Sequence, residues 1–381
     1  MRIHANSILA AAFLSFCSLS RAQKPCTVLV VANGKNANSV ALANYYVNAR
    51  GVPASNQLLL NLPARYTPDT IDTTTPADYQ TLIAQPIFAR IATLKHIDYI
   101  VLCRNLPSKI EFTPNDPNAW EDNSSVDSAL AAEYTTPSVD GIVNPYWYAT
   151  TPFNSTTYGM YLVTRLDGWS WDDAYQLVDS ATWAYPGEPI FLNAQPNYEN
   201  PSSGYYDANN ELIVAYNTLT ASGGNAVLEN DGYFGGDKKP PVTKYTPAGL
   251  EQLGGYYSWG SNDTWEFSAS TFAAFQFAPG AIAETMVSTS AMNLRYPQPG
   301  ESNGGAVWNQ SQIATLIHSG VTGVKGYVAE PYLESVADPN AMFPNYLSGM
   351  NLAESIYSAS IYIGWKDIVV GDPLCNPYHA N

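Results

Sequence analysis

Acidic residues at the ends of short apolar runs are the first chemistry this sequence offers. Asp167 follows Met160 to Leu166 (MYLVTRL), and Glu229 with Asp231 follows NAVL. Glu330 follows Thr322 to Ala329, and Asp372 follows DIVV and Gly371. Asp263 stands in the loop after Leu253 to Trp259, and Glu284 lies inside Ala281 to Val287. Parallel strands gather their carboxyl ends, where ligands of α/β sheets bind. Two converging carboxyls can act as general acid and base on a glycosidic bond. Several can hold a hard cation such as Ca²⁺, with Asp167, Asp263, Glu284 and Asp372 as candidate ligands. Ser258 adds a hydroxyl. Tyr256-Tyr257-Ser258-Trp259-Gly260 nearly matches a G-x-S-x-G nucleophile elbow, but Tyr256 stands where the strained turn needs glycine. Ser258, Asp338 and His379 follow the hydrolase order Ser, Asp, His, an order that is cheap in a chain with many Ser and Asp. The catalytic candidates are therefore Ser258, Asp263, Glu330 and Asp372. Each has a structural alternative, because acids before Gly or Pro are common turn and cap residues. Arg165 beside Asp167 reads as an internal ion pair, and Arg104 at a strand end has the same ambiguity.

Thiols and imidazoles are sparse. Beyond the first 22 residues the chain carries Cys26, Cys103 and Cys375, and His96, His318 and His379. That spacing argues against a His-rich zinc site. Neither nucleotide fingerprint, G-x-x-x-x-G-K-[ST] or G-x-G-x-x-G, occurs, so no cofactor is expected. Cys26 and Cys375 flank the first and last strands. A disulfide between them and three independent thiols both remain open. His318 falls in a helix with Ile313, Leu316 and Ile317, and His379 in a tail. Aromatic loops at Tyr146-Trp147-Tyr148, Trp169 with Trp171, and Tyr256 to Trp259 can stack on a ligand or pack their own sheet.

The surface is acidic and thinly charged. Of 381 residues 13% are charged, 17 basic against 33 acidic, a formal −16. Such a surface repels phosphate backbones, so no nucleic-acid partner is expected. Residues 1–22 read as a secretory signal: Arg2 and His4, an apolar run from Ile8 to Leu19, then Ser20-Arg21-Ala22 before Gln23. Export places the mature protein outside the cell or in the periplasm, starting at Gln23. Removing Arg2 and Arg21 leaves 15 basic residues against 33 and a formal −18. No later run reaches transmembrane length.

The elements that position these residues alternate. Strands are predicted at Thr27 to Asn33, Gln57 to Leu62, Asp98 to Cys103, Met160 to Leu166, Pro189 to Asn193, Asn225 to Leu228, Leu253 to Trp259, Ala281 to Val287, Thr322 to Ala329 and Asp367 to Val370. Helices are predicted at Ser39 to Arg50, at Ala77 to Ile97 with an interruption at Pro86, and at Trp171 to Ala184. Others are predicted at Glu211 to Thr220, Ser311 to Ser319 and Phe343 to Ser358. Strand–helix alternation indicates α/β class with a largely parallel sheet. The pattern restarts midway. It divides the mature chain into an N-terminal subdomain over 23–158 and a C-terminal one over 159–381, joined after a Pro/Thr/Asn-rich stretch.

Several blocks carry a resemblance. The first half holds Leu42-Ala43-Asn44-Tyr45-Tyr46, Arg50-Gly51-Val52-Pro53, Asp98-Tyr99-Ile100-Val101-Leu102 and Leu106-Pro107. Later come Ser125-Val126-Asp127-Ser128, Tyr161 to Leu166, and Val370-Gly371-Asp372-Pro373. The series resembles the gingipain-type cysteine peptidases, which have two α/β subdomains, the second caspase-like. It resembles more closely an uncharacterised family of secreted bacterial proteins that shares the SVDS, MYLVTRLDG, GYYSWGSND, GYVAEPYL and GDPLC blocks across the mature chain. The peptidase resemblance implies a His after one strand and a Cys nucleophile after the next. Here no cysteine lies between Cys103 and Cys375, and no histidine between His96 and His318. The stretch where His-Gly is expected reads Ser258 to Asp263, and the next strand exit offers Ser288, Thr289 and Ser290. The sequence therefore leans toward a non-enzymatic relative that binds an extracellular peptide or polysaccharide. A hydrolase using the strand-end acids or Ser258 is the alternative. Oligomeric state is not legible.

Overall fold

The computed structural model describes residues 24–113, 122–230, 244–247, 249, 251–263, 267–295 and 310–379. The expected signal segment and Asp231 lie outside them. Ten strands form one sheet: β1 Val28–Asn33, β2 Gln57–Leu60, β3 Tyr99–Cys103, β4 Leu162–Leu166, β5 Ile190–Asn193, β6 Ala226–Glu229, β7 Leu253–Ser258, β8 Phe277–Thr285, β9 Gly323–Tyr327 and β10 Asp367–Gly371. Their order is β6-β5-β7-β8-β9-β10-β4-β3-β1-β2. Every neighbouring pair is parallel except β9 and β10. β1 is buried at every residue, as expected for parallel strands covered on both faces.

Helices cover both faces. One layer holds α1 Ala37–Arg50, α2 Trp171–Thr182 and α4 Ile313–His318; the other holds α3 Tyr206–Ala221, α5 Pro339–Leu347 and α6 Leu352–Ser358. Local sequence sets their ends. Asn36 caps α1 by accepting from the Asn38 and Ser39 amides, and Gly51 ends it at φ 65°. Ser170 with Asp173, and Asn351 with Glu354, form capping boxes on α2 and α6.

The parallel α/β sheet expected from the sequence is present. Two separate sheets are not: the strand beyond the expected join at 158, β4, pairs with β3 in register Leu162 with Tyr99. The last strand returns to the middle, joining β4 on one side and β9, antiparallel, on the other. The predicted helix over 77–97 is a wide π turn, Tyr79–Ala84, running into an α-helix at Gln85–Ile91. Pro86, which has no amide proton to donate back into the preceding turn, stands just past the π turn. The helix predicted over 343–358 is two, α5 and α6, broken at Gly349 with φ 94°.

Candidate functional site

The antiparallel β9/β10 pair gives the sheet two carboxyl edges. β10 ends on one edge, and β5 to β9 end on the other. This corrects the expectation that Asp263, Glu330 and Asp372 share an edge. Asp372 lies at the far edge, fully buried, where its carboxylate takes Arg50 Nε at 2.7 Å, the Tyr46 hydroxyl at 2.8 Å and the Leu374 amide at 3.0 Å. It joins the end of α1 to the turn after β10, a structural role. Asp167, just past β4, is held by Arg104 Nη1 at 2.7 Å and Arg165 Nη1 at 3.2 Å, and lines a hollow with Leu294 and Arg295 beyond β8. Arg165 is completely buried and also clasps Asp127 at 2.7 and 3.1 Å. The expected internal ion pair at Arg165 is present, with Asp127 of the SVDS block as its closer partner.

On the other edge, Glu229, Asn193, Ser258 and Thr285 stand in register across β6, β5, β7 and β8. Ser258 is buried. Its hydroxyl donates to the Tyr256 hydroxyl at 2.7 Å and accepts the Gly260 amide at 2.9 Å, so its bonds are local. The triad order is not a triad in space. Asp338 caps α5 through the Asn340 amide, and His379 lies beside Gly349 at that helix's other end. Asp263 is buried with Gln195 as a partner, and Asn193 donates to Glu229. Glu284 is buried in β8, and burial pushes its carboxyl up to about 8. A protonated carboxyl is a poor cation ligand. Among the described residues no three His, Cys, Asp or Glu side chains group so as to hold a metal.

What this edge does present is a groove. The exits of β7 and β8 floor a cavity of about 320 Å³ with Trp259, Asn262, Met286 and Ser288. Gly260, at φ 51°, makes the first exit turn tightly; a Cβ there would meet Ser311 Oγ and Val287 at 2.8 Å. Tyr198 and Tyr205 pack edge-on to Trp259, at 4.7 and 5.6 Å between ring centres. The Trp259 indole donates to Asn209 of α3 at 2.8 Å. The opposite wall is residues 330–336, with Tyr332 65% exposed. Leu333 and Val336 also wall a second cavity of about 390 Å³, so the two cavities adjoin along this segment as two arms. The second arm carries Trp147 and Tyr148 with Asp207, Glu211, Glu334 and Asp338. Tyr148 donates to Asp338. Burial, with Asp338 and Asp207 nearby, pushes Glu211 up to about 7. Among the described residues neither arm is lined by Lys, Arg, His or Cys.

Of the residues singled out in the sequence, Glu330 borders the groove, and Trp147, Tyr148, Trp259, Ser288 and Asp338 line it. Trp169 instead lies over His318 at 4.4 Å, and Trp171 lies under Arg104 at 5.4 Å. Sequence reasoning missed Tyr198, Tyr205, Tyr332, Asp207 and Glu211. The run QPNYENPSSGYY directly after β5 was a usable signal, because it places tyrosines just past a strand end.

The thiols lie elsewhere. Cys103 and Cys375 are fully buried, and burial raises both, Cys375 to about 12. Cys26 lies partly buried before β1, and Cys375 is a free thiol, so the two are not joined in a disulfide.

No family model and no curated protein sequence matches the chain. Among solved structures, one described as "Structure of Protease" superposes with a TM-score of 0.51 at 13% identity, covering 94% of this chain and 80% of its own. At that identity the match establishes a shared fold. Two structures of the Saccharomyces cerevisiae separase–securin complex give TM-scores of 0.34 and 0.36 at 12% and 8% identity. They cover 55% and 77% of this chain but 14% and 18% of theirs, and they carry no weight. No helix among the described residues is long and apolar enough to cross a membrane.

Proposed function

We propose that this is an exported, non-peptidase relative of the gingipain-type, caspase-like peptidases. Its groove holds an extended peptide with a basic side chain and does not cut it. One observation carries the reading. The neighbouring exits of β7 and β8, where the resemblance implies an imidazole and a thiol, supply Trp259, Met286 and Ser288 to an open aromatic groove instead. Exposed rings give stacking and apolar contact along one arm. Four carboxylates, Asp207, Glu330, Glu334 and Asp338, with Glu211 pushed up to about 7 beside them, give the groove a charge complementary to an ammonium or guanidinium group.

The hydrolase alternative finds less support. Of the strand-end carboxylates among the described residues only Glu330 reaches the groove, and Ser258 is hydrogen-bonded beneath it to Tyr256 and Gly260. The test is equilibrium binding of labelled peptides by fluorescence anisotropy. A basic, aromatic-containing peptide should bind, and an acidic one of equal length should not. Tyr332→Ala should weaken binding about fivefold or more, the loss expected when an interface aromatic is truncated. It should leave the melting temperature nearly unchanged, because the side chain is mostly exposed. Equal binding of both peptides, or no effect of Tyr332→Ala, would overturn the assignment.

A further inference from the structure

The wall of the groove rests on buried ionisable groups. Residues 330–338 border both arms, and donors from the sheet hold their backbone. Lys325 Nζ donates to the Ser335 carbonyl at 2.9 Å, the Tyr327 hydroxyl to the same carbonyl at 3.2 Å, and the Tyr257 hydroxyl to the Ala337 carbonyl at 2.5 Å. At the outer end Lys366 Nζ reaches the Glu330 carbonyl at 2.6 Å. Beneath the wall, Lys325 faces Asp367 at 3.5 Å, and Glu284 stands opposite Tyr257 of β7 and, one residue past the Ala283–Val324 pair, beside Lys325 of β9. Glu284, Lys325, Tyr327 and Tyr257 are fully buried.

We propose that this cluster makes the 330–338 wall a pH-sensitive latch, closed while Glu284 holds its proton and released as that proton is lost. The proposal takes from the binding reading only that the cavity is a groove.

Glu284 holds its proton to about 8 when the wall is shut, against an ordinary value of 4.5. Lifting the wall admits water and returns it toward 4.5. Opening then releases one proton, so the opening constant rises about tenfold per pH unit between those values and levels off above 8. Burial raises Asp367 too, in the same sense. The other titratable groups facing the cluster are the Tyr257, Tyr327 and Tyr357 phenols, raised by burial and so neutral over this range. From α3 and the start of α5, Glu211 and Asp338 act on Tyr257. Asp127 acts on Tyr357 from the helix Val126–Ala131 and is paired with Arg165.

The test is hydrogen exchange of 330–338 in the full chain without ligand, from pH 5 to 9, corrected for the intrinsic rate. Protection in the wild type should fall about tenfold per pH unit up to about pH 8. Glu284→Gln should remove about one proton of that dependence. Glu251→Gln, which changes an exposed carboxyl paired with Lys244 away from the wall, should keep the slope set by Glu284. Lys325→Met should lower protection at every pH. Protection that is independent of pH in the wild type, or a slope unchanged in Glu284→Gln, overturns the latch. Should Glu284→Gln not fold, the wild-type profile decides alone. No peptide enters the experiment, so its failure is separable from failure of the binding reading.

Discussion

Arg165 shows how much a buried charge depends on its partners. It has no exposed surface, and its guanidinium is shared among Asp127, Asp167 and the carbonyls of Leu106 and Pro107 at 3.1 Å. Removing one partner strands part of that charge, which in buried pairs costs about 3–5 kcal/mol. Asp127→Ala should therefore lower unfolding stability by about 3 kcal/mol in denaturant titration, near the low end because Asp167 remains. A loss below about 1 kcal/mol would mean that water reaches the guanidinium. The conspicuous SVDS and VGDP blocks owe their character to this kind of demand. Asp127 and Asp372 are acids locked to arginines inside the fold, not ligands waiting for a substrate.

Elements were legible where pattern is local. All ten sheet strands and the main helices follow from apolar runs, caps and glycines such as Gly51 in the sequence. Pairing was not legible. A run such as DIVVG has the same composition whether it lies parallel or antiparallel to its neighbour, and that one choice between β9 and β10 splits the carboxylates between two edges. The Trp147–Tyr148 loop and the β7 exit were visible as candidate contacts. Tyr332 and Glu211 were not, because the turn after β9 and the packing of α3 against α5 bring them to the groove. Edge assignment makes a sharp prediction. Asp372→Asn weakens the junction of α1 with β10 and should cost about 1–3 kcal/mol of stability, the price of leaving buried donors poorly matched. Peptide affinity should be unchanged, because Asp372 and the groove lie on opposite edges. A parallel fall in affinity would show that the two edges are coupled.

At the scale of the whole molecule, one sheet runs from β6 to β2 and carries a fold shared with a solved protease. The formal charge of −16, from 17 basic residues against 33 acidic ones, favours cationic partners at long range. A thiol peptidase needs a thiolate beside an imidazole at an accessible edge. This chain puts its two most buried thiols under raised pKa values and its groove under aromatic rings and carboxylates. The most direct test is mass spectrometry of a broad peptide library after incubation with the protein, with and without a thiol alkylator. The account predicts that basic peptides co-purify intact, with no new cleavage products in either arm. Cleavage products that vanish on alkylation and in a single Cys→Ala variant at Cys26, Cys103 or Cys375 would contradict it and make that cysteine the nucleophile.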